Sequence, residues 1–127
     1  MIFVVENLFA GAKAFLGRGS RGARYFAAPY LLDAEVGQVL RRYFLNRSLS
    51  ESSLNDASRL YSSFPVTRYE HLPLMRRSLE LKKNITFYDA LYVSLAEALD
   101  AVLLTRDQRL MSAIRPVSQV RTRIALP

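Results

Sequence analysis

Residues 84–110, NITFYDALYVSLAEALDAVLLTRDQRL, leave this chain few folds to choose from. Thr86 is a good helix N-cap, Asp89 follows three residues later in a capping-box position, and residues 87–99 carry apolar side chains on almost every face. A helix of that kind belongs in a core. Residues 101–105, AVLLT, are too few for a second helix and too apolar for a surface loop, so they read as a fully buried strand of a parallel sheet. Asp107 stands just beyond that strand's carboxyl end. In open α/β sheets the loops splay apart at that edge and ligands bind there. Asp89 and Asp107 are therefore candidates for one site.

The rest of the chain supplies partners for this unit. Residues 2–5 form a short β-branched and aromatic run ending at Glu6, a buried first strand with an acid at its carboxyl end. Residues 8–16 allow one or two turns of helix. In GRGSRGAR, residues 17–24, three glycines break regular structure and Arg18, Arg21 and Arg24 recur every three residues. That segment reads either as a clamp on phosphates or as a solvated loop, and it lacks the GxxxxGK[ST] pattern of a nucleotide P-loop. Pro29 opens a helix over residues 30–46, with Leu32, Val36, Val39, Leu40 and Tyr43 as its apolar stripe. Asp33 and Glu35 flank the stripe. Two positions apart, they point about 200° from each other and cannot both enter one site. Periodicity does not choose between them.

Residues 50–62 read as a helix capped by Ser50, with Leu54, Ala57 and either Leu60 or Tyr61 inward. Pro65 ends it and residues 66–69 form a strand. Residues 73–83 read as a helix with Arg76, Arg77, Lys82 and Lys83 on a basic outer face. After Asp107, residues 110–114 make one helical turn, and residues 119–125 form an edge strand with Arg121 and Arg123 toward solvent. Strands separated by helices, with no hairpin signal, imply a parallel sheet covered on both faces. The expected architecture is α/β: four to five short parallel strands flanked by helices, in a single domain over residues 1–127.

Eighteen Lys and Arg against eleven Asp and Glu give a formal charge of +7 and a pI near 10.1. Such an excess favours a polyanionic partner, nucleic acid first, because each neutralised phosphate releases a condensed counterion. The plainer alternative is a basic soluble domain. The absence of cysteine excludes disulfides and thiolate metal sites and fits a reducing compartment. No segment approaches the roughly 20 apolar residues of a membrane span. The N-terminus lacks the basic start of a signal peptide, so a cytoplasmic location is expected.

With the first strand beside the strand at 101–105, Glu6 and Asp107 lie at neighbouring strand ends. Asp89, in the first turn of the intervening helix, can point at the same place, and one acid of the 30–46 helix completes the group. Carboxylates so close repel and take up protons. A hard divalent cation, Mg²⁺ or Mn²⁺, removes the conflict and suits all-oxygen ligation. The arginines would then hold a phosphodiester backbone while the metal polarises the scissile phosphate and activates water. Each acid also has a structural explanation: Asp89 completes the capping box, Asp107 caps the next helix, and Glu35 is a solvated flank. Asp100 and Glu97 are about 16 Å and 12 Å from Asp89 along the helix axis, too far to share its ion. His71, the only histidine, reads as surface or hydrogen-bonded filler, which disfavours a serine-type triad.

The segments PYLLDAEVGQVLRRY, NITFYDALYVSLAEALD and LLTRDQRL, in this order over residues 29–110, make the chain resemble the PIN-domain ribonucleases, in particular the VapC-type toxins of bacterial toxin–antitoxin pairs. The resemblance implies a PIN architecture, a Mg²⁺- or Mn²⁺-dependent endoribonuclease, a homodimer and inhibition by a small cognate antitoxin. Residue by residue, Glu35 matches the family's helix glutamate, which decides against Asp33. Asp89 matches the aspartate of the YDA segment and Asp107 that of the TxDxRL segment, where Thr105 resembles the residue that supports the metal site by hydrogen bonding. Glu6 completes the implied metal set. Arg18, Arg21, Arg24 and Arg106 are the candidate RNA contacts, read from the basic residues rather than from the resemblance. The N-terminus departs from the family, which has a strand followed by Asp, a small residue and then Ser, Thr or Asn. Here VVENL puts Glu6 in the aspartate's place and Leu8 where a hydroxyl or amide is usual. The alternative implied by that departure is a weak or silent relative that binds RNA or an antitoxin without cleaving.

Overall fold

The computed structural model describes residues 2–5 and 25–124. Five strands, β1 (Ile2–Val5), β2 (Tyr25–Pro29), β3 (Val66–Tyr69), β4 (Val102–Thr105) and β5 (Arg121–Ile124), form one sheet in the order β3-β2-β1-β4-β5. Every pairing is parallel. Among the described residues five α-helices accompany them: α1 (Leu31–Leu45), α2 (Glu51–Ser63), α3 (Met75–Glu80), α4 (Phe87–Ala98) and α5 (Gln108–Ile114). All four residues of β4 are buried. Because successive side chains of a strand point to opposite faces, this strand is covered on both.

Helix α4 is the core of the domain. Thr86 caps it by accepting from the Asp89 backbone N–H, and Ala90 to Ala96 are buried without interruption. It packs against β1, β2, β4 and α3. Burial of each large side chain here contributes about 1.5–3 kcal/mol. The first strand and the AVLLT strand are neighbours, Val5 standing opposite Leu104.

Three sequence expectations need correction. Residues 25–29 form a strand that propensity does not suggest, since two of its five residues are alanines and Pro29 has the pattern of a helix start. Pro29 ends β2 beyond its pairing with β1, where a missing N–H breaks nothing on that side. The 73–83 helix shortens to α3, preceded by a 3-10 turn over Leu72–Leu74 and followed by tight turns. The apolar stripe of α1 is buried at Leu32, Val36 and Leu40 but ends there, leaving Tyr43 exposed. In α2, Tyr61 packs on the core and Leu60 is exposed. The expectations for residues 8–16 and 17–24 lie outside the described residues.

Candidate functional site

Parallel strands bring all their carboxyl ends to one edge. The chain leaves β1 toward β2 and β3 on one side and returns to β4 and β5 on the other, so the strand order reverses between β1 and β4. Ligands of open sheets bind at such a switch point. Asp107 follows β4 there, and α4, running back antiparallel to the strands, brings Asp89 in its first turn to the same edge. Glu6, next in sequence after β1, lies outside the described residues, as do Arg18, Arg21 and Arg24.

Asp89 and Asp107 line one cavity of about 520 Å³, together with Lys82, Lys83, Asn84, Ile85, Thr86, Arg109, Leu110 and Ala113. Burial pushes the Asp89 carboxyl up, hydrogen bonding to the Thr86 side chain opposes this, and the charge of Asp107 raises it further. Asp107 also caps α5, its Oδ1 accepting from the backbone N–H groups of Arg109 at 2.9 Å and Leu110 at 3.1 Å. Its own N–H donates to the Oγ1 of Thr105, at 3.0 Å, and Thr105 is fully buried. Thr105 therefore fixes the backbone that carries Asp107. Arg106, between them, is exposed.

On α1 the two acids part company. Glu35 accepts from the Tyr92 hydroxyl, burial pushes its carboxyl up, the Tyr92 hydrogen bond opposes this, and the charge of Asp89 adds to the rise. Asp33 instead receives the Nε of Arg68 at 3.0 and 2.8 Å and the Tyr61 hydroxyl. The Arg68 hydrogen bond, outweighing burial, holds the Asp33 carboxyl below its usual range. Glu35 and Asp89, and Asp89 and Asp107, are thus electrostatic neighbours, while Asp33 is committed elsewhere. Among the described residues, no three His, Cys, Asp or Glu side chains meet closely enough to enclose an ion by themselves. The donors are all oxygen, and Mg²⁺ needs just one or two carboxylates because it keeps several of its waters. The acids present fit such an ion.

Glu97, excluded from the site on distance, is gripped by Arg77 at 2.7 and 2.9 Å and by Ser118 at 2.7 Å. Arg77 is thereby turned inward, which corrects its place on a basic outer face. Tyr92 escaped the sequence reading as a site residue. It lies three residues after Asp89, hence on the same helical face, and that spacing was the available signal. His71 is hydrogen-bonded filler as expected, its Nε2 accepting the Leu31 backbone N–H at 3.0 Å, where α1 has no side-chain N-cap of its own.

The sequence pattern of the PIN domain matches residues 7–115. Ribonuclease VapC1 of Mycobacterium tuberculosis is 46% identical over 104 residues, covering 81% of this chain and 78% of the relative. Ribonuclease VapC9 of the same organism is 34% identical over 111 residues, covering 84% and 87%. Among solved structures, PAE2754 from Pyrobaculum aerophilum superposes with a TM-score of 0.64 at 24% identity, covering 96% of this chain and 83% of that one. VapBC2 from Rickettsia felis, bound to a DNA fragment from its promoter, gives 0.64 at 15% identity, covering 98% of each. At those identities the two structures speak for the fold.

Proposed function

The chain belongs to the PIN-domain family, among its VapC members, and from that premise we propose that it is a metal-dependent endoribonuclease acting as the toxin of a toxin–antitoxin pair. The observation that carries the reading is the pair Asp89 and Asp107 lining one cavity at the strand-order reversal, with Glu35 close enough to feel Asp89. Glu35, Asp89 and Asp107, with Glu6, would hold Mg²⁺ or Mn²⁺. That ion would supply Lewis acidity to a scissile phosphate and lower the pKa of a bound water. The chain's own part is to fix the donors: Thr105 sets the Asp107 backbone, Thr86 the start of α4, and Tyr92 the Glu35 carboxyl. A carboxylate already raised in pKa is also suited to accept a proton from the attacking nucleophile. Arg106, exposed beside Asp107, is proposed as an RNA contact along with Arg18, Arg21 and Arg24.

A cognate antitoxin and a second copy of the chain are the proposed protein partners. Exposed Tyr43, Phe44 and Leu45 at the end of α1 and Leu60 on α2 support an interface on that helix pair. Among the described residues no helix is long and apolar enough to cross a membrane, and the proposed action is in the cytoplasm.

The test is cleavage of single-stranded RNA across a Mg²⁺ and Mn²⁺ titration. Cleavage that needs either ion and disappears in Asp89→Asn supports the reading, and cleavage indifferent to both ions sinks it. The Glu6 departure favours a second reading, binding without cleavage. Silence in the wild type and activity in Glu6→Asp would select it.

A further inference from the structure

The cavity that holds Asp89 and Asp107 has a second kind of wall. Lys82 and Lys83, in the turns after α3, and Arg109, on α5, line it as well, and all three are exposed. Cations beside carboxylates ordinarily pair with them. Here none does: among the described residues, ion pairs join Arg59, Arg68, Arg76, Arg77 and Arg121 to acids, and neither cavity aspartate nor any of these three cations takes part. Ile85, Leu110 and Ala113 give the same cavity an apolar portion. Its volume falls within the roughly 300–1,000 Å³ of sites that take small organic groups.

Segregated charges of this sort match one ligand chemistry. A nucleic-acid strand whose reacting phosphate sits at the carboxylates presents its next phosphate, one nucleotide away, to unneutralised cations and a base or ribose to apolar surface. A lysine paired with Asp89 would serve neither purpose. We propose that Lys82, Lys83 and Arg109 form the binding track for the single-stranded RNA backbone next to the scissile phosphate, with the partly exposed Ile85 and Ala113 seating the adjoining nucleotide. This rests on the ribonuclease reading above, and it places phosphate contacts on residues separate from the arginines of the 17–24 segment.

The experiment measures binding of a fluorescein-labelled single-stranded oligouridylate to the full chain, by anisotropy across a salt series in EDTA, so that no cleavage intervenes. The variants are Lys82→Gln/Lys83→Gln, Arg109→Gln, and a charge-matched control, Arg41→Gln/Arg47→Gln. The control residues are exposed near the C-terminal end of α1 and do not line the cavity. Each lost phosphate contact lowers the log–log salt slope by about 0.7 for a single strand, so the double lysine variant should lose about 1.4 and bind on the order of tenfold more weakly. Arg109→Gln should lose about 0.7, and the control should keep the wild-type slope. Wild-type slopes in the lysine and arginine variants overturn the proposal, and so does an equal loss in the control, which would mean that only net charge matters. A parallel cleavage assay in Mn²⁺ separates the two claims. A wild type that cleaves RNA while the lysine variant binds normally defeats the track and leaves the nuclease standing. Track-dependent binding with no cleavage in any metal does the reverse.

Discussion

Asp33 and Glu35 stand two residues apart on α1, and the fold sends them to opposite ends of carboxylate chemistry. Asp33 meets a guanidinium and a phenol. Those partners hold it ionised and tie α1 to β3 and α2, while burial and the bond to Asp33 push Tyr61 up to about 12. Glu35 meets a hydroxyl and another carboxylate's field, and ionising it costs free energy. The same division runs through α4, where Glu97 at the far end is clamped by Arg77 and lowered, whereas Asp89 at the near end is raised. Carboxylates that hold the fold are given cations; those at the strand-order reversal are given each other. Strain of that kind persists at sites that bind an ion or a substrate.

Substitutions can break the comparison. The largest effect is expected at the reversal: Asp107→Asn should lower RNA cleavage by ~10²-fold or more. Because Asn caps helices about as well as Asp, the α5 cap survives, and with one repelling charge gone the metal-free protein should melt no lower than wild type. Calorimetry of the apo variant checks this, and a clearly lower melting temperature would mean that Asp107 is chiefly structural. Next comes Tyr92→Phe. Losing the hydroxyl that orients Glu35 should weaken Mn²⁺ binding by roughly 10–100-fold while the ring still fills its buried place. Unchanged affinity would show that Glu35 needs no such hold.

In the clamped region the readout reverses. Glu97→Ala removes bonds from Arg77 and Ser118 and should destabilise the fold by about 1–2 kcal/mol, a figure discounted because Arg77 is partly exposed. Specific activity at low temperature should stay the same. The smallest effect is in pH dependence. Asp33 and Glu97 titrate low in the fold, so their contribution is present above the ordinary values of 3.8 and 4.5 and is lost as pH falls through the depressed ones. Glu35 and Asp89 titrate high, so stability declines as pH rises from 4.5 and 3.8 through their raised values. Melting curves across mild acid should therefore change in opposite senses for Asp33→Asn and Asp89→Asn, and parallel changes would dissolve the distinction.

Much of this was legible in the sequence because its signals are local. A capped, all-round apolar helix and the five-residue apolar run 101–105 have few alternatives, and α4 and β4 (Val102–Thr105) lie where their composition puts them. β2 was hidden because its strand character comes from neighbours on both sides rather than from its own alanines and proline. The choice between Asp33 and Glu35 was invisible to periodicity, since it depends on Arg68 and Tyr92, 35 and 57 residues away. Arg77 looked like surface for the same reason: its acid partner lies 20 residues on, across a helix contact.

Calorimetric titration of Mn²⁺ into the metal-free protein tests the central claim most directly, with Asp89→Asn and Asp33→Asn run beside the wild type. The account predicts saturable binding that Asp33→Asn retains and Asp89→Asn loses. Equal binding by the two variants would contradict it.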